Sequence, residues 1–392
     1  MRKNRIIYLA LLISVTVLAS FFGGTISYAL FNMCIGIPIV AFAYNVYVYC
    51  RLQFYQTTPS KVVEKGKILP YEVLFRNHDL IPFTHVKVNF YDEQCQVEQS
   101  DQVMEYYLLP GDEKKLKTTL KCFYRGEYSV GVKQVEIIDF LYLFRMTYPV
   151  MWPLKLTVLP TVVKLKNLGI LLDDEDPKTY DFGFVENMLL ESDTRKYRPG
   201  DNPKQIHWKV AAKQGELFTR RESAEIKRNN IIFMDLQKVD EKGFGKLAVE
   251  DKILEIVLAI AYYLQVQNIS STICFNEDQF NECTITHPES FGNFYQTTSR
   301  ILFNDQTPFS IVLERYLVQH PKLDYYILVT HGLTEELCTS IQKAVAYEQQ
   351  LIVLLVNLEC SEKEKESIRQ LETLGVRTVV IHPDDDLDQV IG

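Results

Sequence analysis

Ile231-Ile232-Phe233-Met234-Asp235-Leu236 is a short apolar run with an acid at its fifth position. Six residues are too few for a globular helix, and the β-branched and aromatic side chains favour a strand covered on both faces. Runs of the same character recur at 271–275, 325–330, 351–356 and 377–381. Between them, residues 246–267, 309–319, 335–349 and 362–374 space their apolar side chains as helices do. Strands alternating with helices predict a mostly parallel, doubly wound α/β sheet over 229–392. Ligands of such sheets sit beyond the carboxyl ends of the strands, which singles out Asp235 and Thr330-His331-Gly332.

Upstream the pattern changes to period two. Leu69, Tyr71, Val73 and Phe75 alternate with other residues, as do Val86, Val88 and Phe90, and Tyr128, Val130 and Val132. Asn77-His78-Asp79, Pro110-Gly111-Asp112 and Arg125-Gly126 interrupt them, and the pattern predicts an antiparallel β-sandwich over 61–160. The sandwich carries no obvious chemistry and reads as a spacer or interaction module. Residues 161–228 form a connecting region, whose Asp173-Asp174-Glu175-Asp176 lacks the alternating ligands of a calcium loop and reads as a solvated turn.

The first 63 residues hold no Asp or Glu. Residues 6–22 and 25–50 are apolar and are separated by Gly23-Gly24, so 1–52 predicts a membrane hairpin of two spans. Arg2, Lys3 and Arg5 precede the first span, Arg51 and Lys61 follow the second, and the turn between is uncharged. Positive residues stay inside, which places both ends and the soluble domains in the cytoplasm of a multi-pass cell-membrane protein. A cleaved signal peptide is the alternative, and the second apolar run opposes it. No ionisable residue lies within the spans to suggest a transport path. The eight cysteines are scattered without a Cys-x-x-Cys pair, so neither a zinc site nor a disulfide framework is expected.

The connecting region holds the densest motif. From 195 to 222 the chain reads Arg-Lys-Tyr-Arg-Pro-Gly-Asp-Asn-Pro-Lys-Gln-Ile-His-Trp-Lys-Val-Ala-Ala-Lys-Gln-Gly-Glu-Leu-Phe-Thr-Arg-Arg-Glu. Pro199 and Gly200 make a turn, and Asp201 or Asn202 caps a short helix over 203–213 on which Trp208 and Ala212 face the protein. Between 195 and 228 ten Lys/Arg stand against four acids, although the whole chain carries −8. That island reads as structural pairing, as a docking face for an acidic protein, or as a phosphate contact; the net acidity argues against nucleic acid. Binding candidates are Arg195, Tyr197, Arg198, Gly200, Asp201, Lys204, His207, Trp208, Lys209 and Lys213.

This stretch resembles the domain-of-unknown-function 58 family, in which Arg-x-Tyr-x-Pro-Gly-Asp leads into Ile-His-Trp-Lys, a pair of small residues and a basic-acidic strand. The resemblance implies a von Willebrand factor A-like domain after the motif, and as partners a MoxR-type AAA+ ATPase and a transglutaminase-like membrane protein. Such domains commonly hold Mg²⁺ on Asp-x-Ser-x-Ser after the first strand. Here Asp235 is followed by Leu236-Gln237-Lys238-Val239, so both hydroxyls are lost, and His331-Gly332 stands where a second acid is expected. No metal and no cofactor are therefore expected.

The fold class expected is a membrane helical hairpin, a β-sandwich and a von Willebrand factor A-like α/β domain. Its function reads as a membrane-anchored, non-enzymatic interaction or scaffold protein. Two alternatives stand beside it, a hydrolase using His207 and Asp201, and an envelope-facing adhesion or wall-assembly module. No Gly-x-Ser-x-Gly turn or P-loop accompanies the lone His207. If the basic island docks a partner, Lys204→Glu or Lys209→Glu leaves the thermal melt unchanged and abolishes co-purification. If it is structural, Arg198→Ala or Trp208→Ala lowers the melting temperature instead.

Overall fold

The computed structural model describes residues 1–92, 94–98, 104–150, 152–168, 194–197, 212, 215–220, 229–241, 243–320, 325–347 and 350–391. Two compact units divide the chain, Met1–Thr161 and Val162–Gly392.

The first unit opens with two helices, α1 (Arg2–Phe22) and α2 (Gly24–Arg51), joined at Gly23. Both are long and apolar enough to cross a membrane. Among the described residues eleven strands follow: β1 (Gln53–Thr57), β2 (Val62–Glu64), β3 (Ile68–Arg76), β4 (Phe83–Phe90), β5 (Cys95–Val97), β6 (Met104–Leu108), β7 (Glu113–Cys122), β8 (Gly126–Val130), β9 (Val132–Ile138), β10 (Arg145–Pro149) and β11 (Leu154–Leu159). They form sheets ordered β1-β3-β7-β5, β10-β9-β4-β6 and β2-β11-β8. The first strand starts ahead of the region read as sandwich, and β2 pairs with β11 in parallel rather than antiparallel fashion.

Period-two patterning builds this core. Tyr71, Val73 and Phe75 of β3 turn inward against Val86 and Val88 of β4 and Val135 and Ile137 of β9, while the intervening residues face outward. Gly131, at φ 81°, lies where a Cβ would fall 2.5 Å from both the Tyr71 hydroxyl and Gln56 Oε1, so only glycine fits. Burial there pushes the Tyr71 phenol up.

Both helices are tied to one end of the sandwich. Val48 of α2 and Leu52, which follows it, join its core. Tyr44 donates to Pro82 O at 2.8 Å, Asn45 to Phe144 O at 3.2 Å, and Arg51 grips Asp79 at 2.6 Å. From α1, Asn4 donates to Leu141 O at 3.1 Å and Arg5 to Leu143 O at 2.7 Å.

The second unit contains a short antiparallel pair, β12 (Thr194–Lys196) with β13 (Phe218–Arg220), and a six-stranded sheet. The sheet's strands are β14 (Asn230–Met234), β15 (Ser271–Asn276), β16 (Phe280–Ile285), β17 (Tyr325–Thr330), β18 (Gln350–Val356) and β19 (Arg377–Ile381), in spatial order β16-β15-β14-β17-β18-β19. All neighbours are parallel except β16 against β15. Helices α3 (Phe244–Val266), α4 (Pro288–Thr297), α5 (Phe309–Gln319), α6 (Glu335–Ala346), α7 (Glu362–Thr373) and α8 (Leu387–Val390) connect and cover them.

Alternate residues of each central strand enter different cores. Ile232 and Met234, Ile327 and Val329, and Ile352 and Leu354 pack under α3 and α4. Ile231 and Phe233, Tyr326 and Leu328, and Val353 and Leu355 pack under α5 and α6. Helix α3 is so enclosed that Glu250, Asp251 and Lys252 are buried on it, and Lys252 donates to Asp385 O at 2.5 Å. Leu165 and Leu168, from the region read as a connector, join the α3 core. Lys166 meets Asp388 at 2.6 Å and holds that carboxyl below its usual range. Helix α7 starts on a capping box, Ser361 with Glu364.

Leu354→Ala, at a wholly buried site, is expected to cost about 2–5 kcal/mol, against about 1 kcal/mol for Ser361→Ala at the exposed cap. Chemical denaturation of the detergent-solubilised chain reads both. Equal losses would contradict this placement of the core.

Candidate functional site

The parallel strands β14, β15 and β17 deliver their carboxyl ends to one edge of the sheet, and a polar cluster forms there. Asp235 follows β14 and is only 2% exposed. Its Oδ1 accepts the Gln237 N–H at 3.0 Å, and its Oδ2 accepts the Thr330 hydroxyl at 2.6 Å. Thr330 in turn accepts the Gly332 N–H at 3.2 Å. The His331 ring lies above, its Nε2 3.2 Å from Gln237 O and 3.7 Å from Asp235 Oδ2.

A second acid joins from the loop before α5. Asp305 bridges Gln237 in parallel register, and its N–H donates to Leu236 O at 3.0 Å. Its carboxylate accepts Asn276 Nδ2 at 2.9 Å and the Thr307 N–H at 3.0 Å. Gln237 Oε1 is also engaged, accepting the Phe309 N–H at 3.3 Å.

These residues do not fit the Mg²⁺ site that the resemblance implies. A cation of that size requires several converging oxygens in near-octahedral array. Here the Asp235 oxygens are turned to protein donors, Gln237 spends its carbonyl on a helix start, and an imidazole stands where the second acid would be. Among the described residues no three His, Cys, Asp or Glu side chains group as a metal site. The cluster is instead a closed hydrogen-bond network that locks the loops after β14 and β17, the last residue of β15 and the segment before α5 to one another.

The strand-end residues Asp235, Thr330, His331 and Gly332 meet here as their positions in the chain suggest. Asp305, Asn276 and Thr307 were not foreseen. Asn276 closes β15 at the same sheet edge, which is the one signal that marks it. Of the motif candidates, Arg195 lies in β12 with its backbone opposite Thr219, and the N–H of half-buried Tyr197 donates to Leu217 O at 2.8 Å. The two ends of the motif are thus adjacent. Arg198, Gly200, Asp201, Lys204, His207, Trp208, Lys209 and Lys213 lie outside the described residues, as does all of the helix expected over 203–213 except Ala212.

A family model described as "Protein of unknown function DUF58" matches residues 193–292. The match supports the DUF58 family. It runs from β12 through β14 and α3 into α4, and so takes in Asp235, Gln237 and Asn276. No curated protein matches the chain. Among solved structures, the CARDB domain of a Pyrococcus furiosus protein is 18% identical over 27% of this chain and 91% of that one, with a TM-score of 0.18. Trypsin-activated alpha-2-macroglobulin from Escherichia coli is 9% identical over 76% of this chain and 21% of that one, at 0.22. Cwp6 from Clostridium difficile is 12% identical, covering 83% and 49%, at 0.18. Superpositions this loose carry neither fold nor activity across.

Thr330→Val keeps the shape and removes the donor to a buried carboxylate, so a loss of about 1–3 kcal/mol is expected, with most of it retained by Thr330→Ser. Thermal melts distinguish the two. Destabilisation by Thr330→Ser but not by Thr330→Val would mean that the methyl, not the hydroxyl, is what the site needs.

Proposed function

We propose that this chain is a membrane-anchored, non-enzymatic interaction protein whose second unit is von Willebrand factor A-like and presents its strand-end face to a protein partner. The observation that carries this reading is the closed network around Asp235. Its carboxylate is held by Thr330 and Gln237, so the edge where such sheets take ligands is a rigid polar surface rather than a charged cavity. The order β16-β15-β14-β17-β18-β19, with one antiparallel edge strand and helices on both faces, supports the fold.

The helices α1 and α2 are the anchor. Arg2, Lys3, Arg5 and Arg51 flank them at the end bearing the sandwich, which favours a cytoplasmic body. The family resemblance makes a MoxR-type AAA+ ATPase the first partner to test and a transglutaminase-like membrane protein the second.

Half-buried Cys360 reports the topology: a membrane-impermeant thiol reagent should label it only in broken cells. A photo-crosslinker at Lys238, beside the network, should capture the ATPase from native membranes, and one at exposed Trp152 should not. Millimolar Mg²⁺ should leave the melt unchanged. Labelling of Cys360 in intact cells, or a Mg²⁺-dependent rise in melting temperature, overturns the corresponding part of this reading.

A further inference from the structure

The end of the sandwich that grips the helices carries large apolar side chains that the fold leaves exposed. Leu80 on the β3–β4 loop is 91% exposed, and Ile81 beside it, Leu109 on the β6–β7 turn and Phe140 on the β9–β10 loop are exposed as well. Solvated loop tips ordinarily carry small or polar residues, and a group of large apolar ones marks a surface meant for another apolar phase.

These loops are held in place. The buried Asn77 amide donates to Ile81 O at 2.9 Å and Leu108 O at 3.2 Å, and Asn77 O accepts the Gly111 N–H at 2.8 Å, which fastens two of the loops together. The wholly buried Asp139 accepts the Leu141 N–H at 2.9 Å and the Phe144 N–H at 2.6 Å, which shapes the third. Their exposed apolar tips are thus presented by fixed backbone.

Depth follows from helix length. The 28 residues of α2 extend about 42 Å, against a hydrocarbon core of about 30 Å, so about eight residues project beyond it. With Gly24 set at the far edge of the core, those are the residues from Tyr44 to Arg51, which include Tyr44, Tyr47 and Tyr49, the residue type that collects at the headgroup level. The loops bind this segment and the matching level of α1: Pro82 O takes the Tyr44 hydroxyl, Phe144 O takes Asn45, and Leu143 O takes Arg5. Phe140 packs edge-on to Tyr44 at 5.6 Å.

We infer that the three loops are a second membrane contact, and that Leu80, Ile81, Leu109 and Phe140 seat in the headgroup and upper acyl region of the bilayer that holds α1 and α2. This rests on the reading of those helices as spans. It adds that the sandwich lies against the lipid surface in one orientation instead of hanging from a tether.

The test uses the full chain in phospholipid vesicles. Leu80→Trp and, separately, Phe140→Trp place a reporter on the loops, and Ile68→Trp, 67% exposed at the far end of β3, serves as control. Each variant's added emission is taken by difference from the unsubstituted chain. For Leu80→Trp and Phe140→Trp the added emission should shift to the blue and lose most of its intensity when the phospholipids are brominated high on the acyl chain. For Ile68→Trp it should do neither. Flotation of the unsubstituted chain with vesicles after an alkaline wash reads the spans alone. Retention on the vesicles with the loop reporters no more quenched than the control overturns the loop contact and leaves the anchor standing. Loss from the vesicles overturns both.

Discussion

Ile231 to Met234 are buried on both faces, and the second unit is organised by the need to cover both. A strand of this kind cannot sit at an edge or face solvent, so it takes the middle of the sheet, with β15 on one side and β17 on the other. Helices α3 and α4 then close one face and α5 and α6 the other. The same arrangement brings Asp235 to the sheet edge at the moment the apolar run ends. An acid buried there must find donors, and Thr330 and Gln237 supply them.

That network separates two possibilities that share one backbone. A carboxylate at the exit of a central strand can face outward to a ligand or inward to the protein. Here Gln237 and His331 settle its direction, since one lends a backbone N–H from below and the other lies across the top. What the surroundings meet is the outer side of loops that cannot rearrange cheaply.

Much of the second unit was legible because each run announces itself locally. The strand at 325–330 and the helix at 309–319 appear with the bounds read from their residues, and 377–381 likewise. Strand β16 was not read, since Phe280-Asn281-Glu282-Cys283-Thr284-Ile285 lies at an exposed edge and mixes polar with apolar residues on both faces. Helix α4, entered through Pro288 and only ten residues long, offers too little periodicity to stand out. In the first unit β1 resembles a linker, because Gln53-Phe54-Tyr55-Gln56-Thr57 is half polar and gains strand character only by pairing with β3. The Asp305 to Asn276 contact was beyond reach for another reason. Its members lie far apart in the chain, and only the sheet brings them to the same edge.

The central position of β14 also has a consequence during synthesis. Its partner on one side, β15, follows after a single helix, but Asn230 must wait for Tyr325, roughly a hundred positions on, to complete the other. Until the ribosome has delivered that stretch, one of the greasiest segments of the chain has an open flank. By then the two leading helices have long since emerged, so the nascent chain would be waiting beside a lipid surface with an unpaired sticky edge. A shielding partner at that stage, whether chaperone or membrane, would matter more for this chain than for one whose middle strand is completed early.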